Sequence, residues 1–201
     1  MPDTPTAWAG IIVRTAGTDS KLFDGLVVAA LAKIASKPVG NQLLTDIAAQ
    51  VAKVKFGFTV CIKPKASIKQ TFGPFIQWRV YEIGSVTKAA SDQNAADGTG
   101  AVSSISWDPK NEATPDGSRP PYIGLAHELI HSLYNLLGTS HLLAGEDGKT
   151  LDEMRVTGLK GYEGMAISEN RIRKEHGITY RSSYSGRCSA ADGKPDKAAF
   201  V

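Results

Sequence analysis

His127, Glu128 and His131 form an HExxH run, His-Glu-Leu-Ile-His, whose residue types and spacing suit hydrolysis by a metal-activated water. Side chains four positions apart on a helix lie one above the other on the same face, so two imidazoles can reach one cation from a single rigid element. Glu128 projects beside them, where a carboxylate can take a proton from the water and pass it to a leaving amine. Zinc fits such a donor set because it lowers the pKa of bound water toward neutrality and polarises a carbonyl. With four His among 201 residues, a chance HExxH is expected about 0.003 times. Coincidence is therefore a poor explanation. The other structural reading is a hydrogen-bonded pair of histidines on a half-exposed helix. Leu125, Ala126, Leu129, Ile130, Leu133, Leu136 and Leu137 argue against it, because they make the helix largely apolar and buried. Polar groups inside such a helix need partners, and a metal supplies one.

A catalytic zinc takes three protein ligands and leaves a position for water. The short-spacer form of the motif, HExxHxxGxxH, is not met, because neither its Gly nor its third His follows His131 at the required spacing. His141 lies just past the helix end and would have to bend back. Glu169 is the leading candidate, since on a helix over residues 165–176 it shares an apolar face with Met165, Ala166 and Ile172, beside Arg173. Glu175 is rotated toward Arg171 and Ser168, where a solvated charge fits better. Glu153 and Glu163 lie in less regular surroundings and stay open as alternatives.

The elements that must position these groups follow from periodicity. Residues 21–35 carry Leu22, Phe23, Leu26, Val27, Ala30, Leu31 and Ile34 at helical spacing, and residues 41–54 repeat the pattern with Leu43, Leu44, Ile47, Ala48 and Val51. Residues 55–86 alternate in strand fashion around a Gly73-Pro74 turn, and 101–107 form another strand closed by Asp108-Pro109. Loops are expected at 88–100, 111–119 and 141–149. Pro120-Pro121 introduces the motif helix at 122–137, and Gly138 stops it. The expected fold is α+β, with a small, mostly antiparallel sheet packed on the HExxH helix and a C-terminal ligand helix. One domain fills residues 1–201, with 190–201 as a disordered tail. The strand at 101–107 is expected to offer its edge to an extended substrate.

Composition narrows the partners. A net charge of +3 without a cluster of basic and aromatic residues speaks against nucleic acid. The longest apolar stretch, residues 25–32, is too short to span a membrane. The first residues lack the basic start and apolar run of a cleaved signal, so export is expected to use another route or a longer protein. Cys61 and Cys188 are too few for a disulfide framework, and they read either as two buried thiols or as one bridge tying the tail.

Taken together, these segments resemble the NleD-like family of bacterial zinc metallopeptidase effectors. The chain is similar also to the metallopeptidase toxin domains at the ends of type VI secretion spike proteins. The resemblance runs through SKPVGNQLL (36–44), WDP (107–109), LAHELIH (125–131), RVTGL (155–159), SENRIR (168–173), Gly177 and RSSY (181–184). It implies a zincin-like domain with zinc held by His127, His131 and Glu169 and with Glu128 as general base. It also implies secretion or delivery into a target cell, a host cytoplasm or a bacterial periplasm. A protein or peptide substrate there, and a cognate immunity protein, follow from the same resemblance. Tyr184, in the matched tail, is a candidate transition-state stabiliser, with packing of the C-terminal segment as the other reading. Arg173 and Arg181 are expected to pair with carboxylates or carbonyls. Two other functions stay open: a zinc amidase acting on a cell-wall peptide, and a non-catalytic binding module stabilised by metal.

Overall fold

A computed structural model describes residues 3–15, 20–53, 59–65, 69–72, 75–78, 85–114 and 117–183. Its main sheet has five strands in the order β1 (Asp3–Pro5), β2 (Ile11–Arg14), β3 (Val60–Pro64), β7 (Ser103–Trp107) and β6 (Val86–Ala89). The β2–β3 and β3–β7 pairs are parallel, while β1–β2 and β6–β7 are antiparallel. The sheet is therefore mixed, which corrects the expectation of a mostly antiparallel one. Parallel neighbours need a crossover on a sheet face, and α1 (Ser20–Ala35) and α2 (Pro38–Lys53) make that crossover between β2 and β3. Two short hairpins, β4–β5 (Lys69–Phe72 and Phe75–Trp78) and β8–β9 (Ala113–Thr114 and Gly117–Ser118), complete the described strands.

The strand at 101–107 does not lie at an edge. As β7 it is hydrogen-bonded on both sides, and β6 closes the sheet among the described residues. Part of β6 falls in the segment expected to be a loop from residue 88, and α3 (Asp92–Ala96) falls there as well.

The apolar stripe of α1 is narrower than its sequence suggests: Phe23, Val27, Ala30, Leu31 and Ile34 are buried, while Leu22 and Leu26 are exposed. Helix α2 begins at Pro38, where a missing N–H costs nothing. The motif helix α4 (Pro121–Leu137) lies at the centre, against α1, α2, β6 and β7 and against α5 (Gly145–Thr157) and α6 (Glu169–Glu175). Its start is fixed by the Trp107 indole N–H, which donates to the Pro121 carbonyl at 3.1 Å. Its end is a left-handed Gly138 with φ 69°. A Cβ there would stand 2.5 Å from the Gly98 backbone, so the residue must be glycine for both conformation and space.

Cys61 is buried on β3. Cys188, Tyr184 and the tail at 190–201 lie outside the described residues.

Candidate metal centre

Three ring and carboxylate groups converge where α5 packs on α4. The Nε2 atoms of His127 and His131 are 3.2 Å apart. Glu153 bridges them, with Oε2 3.0 Å from His127 Nε2 and Oε1 3.3 Å from His131 Nε2. Three ligands about 2.0–2.1 Å from a tetrahedral ion stand roughly 3.3 Å from one another, so these separations are those of a divalent-cation site. His127, His131 and Glu153 are the one group of three or more His, Cys, Asp or Glu among the described residues that could hold a metal. The side chains of His131 and Glu153 retain 18% and 22% of their exposure, which leaves a solvent approach from their side.

Glu153 comes from α5, a helix absent from the sequence-based expectations. Its apolar residues are sparse, and two glycines fall in its first turn. Tertiary contacts set it in place. The Arg155 guanidinium stacks 3.6 Å from the centre of the Tyr134 ring on α4 and donates to the Thr139 carbonyl. Beside Glu153, Asp152 accepts from the His141 backbone N–H and pairs with its ring. His141 is thus committed to Asp152 and does not turn back to the two motif histidines. The signal available in sequence was the run Asp152-Glu153-Met154 before the RVTGL match, without a periodicity that would give it a face.

Glu169 occupies the other edge of His127. Its Oε2 is 2.8 Å from Nδ1, the ring nitrogen that points away from His131. It is the first residue of α6, which starts later than expected because Ser168 caps it by accepting from the Arg171 N–H. Glu169 is fully buried among cations: Arg119 and Arg173 each donate to Oε1 at 2.8 Å, and Arg181 lies 3.4 Å from Oε2. Arg173 and Arg181 thus pair with a carboxylate as expected, while the role of Arg119 was not foreseen. Glu175 accepts from the Val39 N–H at the start of α2, and Glu163 accepts from the Gly161 N–H. Neither is among the groups that converge on the two motif histidines.

Electrostatics follow the geometry. Burial opposes protonation of His127, but Glu153 and Glu169 on its two edges outweigh it and raise its pKa to about 9. Burial likewise opposes ionisation of Glu153 and Glu169. The histidines hold the first, and His127 with Arg119 and Arg181 holds the second, well below the usual carboxylate range.

Glu128 is buried on α4, and its Oε2 accepts a 2.7 Å hydrogen bond from Thr87 on β6. A cavity of about 820 Å³ lies elsewhere, along the outer face of α6 beside Ser168, Asn170, Arg171 and Lys174, and it is lined by none of the three converging groups.

The chain matches the Peptidase_M91 family, described as effector protein, over residues 14–184. It belongs to that family. The match spans every element from α1 through α6 and takes in the whole HExxH helix. Membership makes the chain a peptidase effector and agrees with the NleD-like resemblance. No curated protein matches it. No helix among the described residues is long and apolar enough to cross a membrane.

Proposed function

We propose that this effector is a zinc-dependent endopeptidase in which His127, His131 and Glu153 hold the metal, Glu128 is the general base and Glu169 orients His127. The observation that carries this reading is the convergence of three candidate ligand atoms about 3 Å apart beside Glu128, which is buried on the helix that carries both histidines. When bound, zinc supplies Lewis acidity toward a peptide carbonyl and lowers the pKa of a coordinated water.

Glu153 replaces Glu169 in the proposed ligand set for two reasons. His127 must share one ion with His131, and it does so through Nε2, whereas Glu169 bonds Nδ1. Glu169 also has no exposure and three arginine partners, so no substrate can reach it. A carboxylate on the far nitrogen of a ligating histidine fixes the ring's tautomer and orientation. Glu128 then accepts the proton of the attacking water and delivers it to the leaving amine.

An extended substrate would add to β6, the last strand of the sheet among the described residues, next to α4. Peptides N-methylated near the scissile bond are expected to lose turnover, and equal turnover would reject strand addition. The family's effector character supports delivery into a target cell, with a protein as substrate. Tyr184 remains a proposed oxyanion donor, and a Tyr184→Phe protein with normal turnover would remove it.

The decisive experiment is cleavage of labelled, unfolded casein by zinc-loaded protein, with Glu128→Gln alongside. Loss of about 10²–10⁴-fold in the variant, at unchanged zinc content, is expected for a general base. Equal activity in the two proteins would reject the assignment, and release of cell-wall peptide in place of casein cleavage would favour the amidase reading.

A further inference from the structure

We infer that Thr87 is a positioning residue for the general base, an inference that rests on the Glu128 assignment above. The sheet pairing decides which β6 side chain faces α4. Thr87 stands directly opposite Ile105, and Ile105 is fully buried in the core. Residues directly opposite in a ladder share a face, so Thr87 projects toward α4, while its exposed neighbour Lys88 projects away.

The Thr87 hydroxyl lies 2.7 Å from Glu128 Oε2 and 3.0 Å from the Glu128 main-chain carbonyl. It has a single proton to donate to these two acceptors of one residue. Ser132 also donates to that carbonyl, at 3.1 Å. The carbonyl is therefore served by the helix, and the Thr87 proton is available for the carboxylate. A buried carboxylate that lacks such a donor seeks another partner or turns toward water. Held at Oε2, it has its other oxygen left to take a proton. Because β6 is also the last strand of the sheet among the described residues, the device ties the position of Glu128 to the strand on which substrate addition is proposed.

Thr87→Val keeps the branched shape and removes only the hydroxyl; Thr87→Ser keeps the hydroxyl and removes a methyl. With labelled unfolded casein as the probe, Thr87→Val is expected to lose about 10–100-fold in kcat, the scale of a catalytic group misplaced by an ångström. KM, zinc affinity by chelator competition and thermal midpoint are expected to stay near wild type, and Thr87→Ser is expected to recover most of the rate. Crystal structures of the two variants give a readout independent of turnover: the Glu128 carboxylate should leave its wild-type position in Thr87→Val and keep it in Thr87→Ser. An unchanged kcat in Thr87→Val, beside an inactive Glu128→Gln, would overturn the inference and leave the base assignment standing. Full activity in Glu128→Gln would overturn both. A loss in Thr87→Val that tracks lost zinc or a lowered midpoint, or that Ser fails to rescue, would make Thr87 merely structural and overturn the inference as well.

Discussion

Glu153 and Glu169 lie on opposite edges of the same imidazole and do different things. On the Nε2 edge, Glu153 is partly open to solvent and faces two histidines. On the Nδ1 edge, Glu169 is sealed and neutralised by Arg119, Arg173 and Arg181. A ligand carboxylate has to keep lone pairs for a metal and allow water to approach. A supporting carboxylate has to be satisfied in advance, so that its remaining bond fixes the ring. On the proposed reading, the nitrogen that each acid meets and what else already holds it separate a ligand from a supporting carboxylate.

The sharpest way to break this comparison is to remove each acid in turn. Glu153→Ala should abolish stoichiometric zinc uptake, measured by mass spectrometry under native conditions, while the fold is kept. Glu169→Ala should still take up zinc, with affinity about 10–100-fold weaker, as for loss of an outer partner of a ligand. It should also lose about 3–5 kcal/mol of stability in chemical denaturation, because three arginines are left facing an empty buried site. The opposite pattern, zinc lost with Glu169 and retained without Glu153, would exchange the two roles.

Proton linkage gives a smaller, graded test. In metal-free protein, His127 is raised from 6.5 to about 9. Its contribution to stability is fully present below pH 6.5 and is lost as pH rises through about 9. Glu153 and Glu169 are lowered, so their contribution is present above the usual carboxylate range and is lost as pH falls through their depressed values. Metal-free protein should therefore lose thermal stability between pH 6.5 and 9. Zinc should remove most of that loss, since it replaces the proton, and its uptake at neutral pH should release protons measurable by buffer-dependent calorimetry. A flat metal-free profile over this range would show that Glu153 and Glu169 do not hold a proton on His127.

The smallest expected effect concerns the outer arginines. Arg119→Lys keeps the charge but loses the planar fork, and it should weaken zinc binding only a few-fold, well short of Glu169→Ala. An effect as large as that of Glu169→Ala would mean that Arg119 alone sets the carboxylate's position.

Sequence by itself determined the motif helix. The apolar run around His127 and His131, Pro121 at its start and Gly138 at its end are local facts, and local backbone chemistry together with 3.6-residue periodicity is enough to read them. It also determined that Glu169 turns inward and that Arg173 meets it, since both follow from positions on one short helix. It did not determine which acid joins the two histidines in the candidate metal centre. Helix α5 shows no clear amphipathic face, and Glu153 reaches the histidines only because Arg155 stacks on Tyr134 and Asp152 pairs with His141, contacts between residues far apart in the chain. The direction of the sheet and the place of β7 inside it were decided in the same way. Strand alternation reports which face a side chain takes but not which strand lies beside it, and only the packed sheet places Thr87 against Glu128.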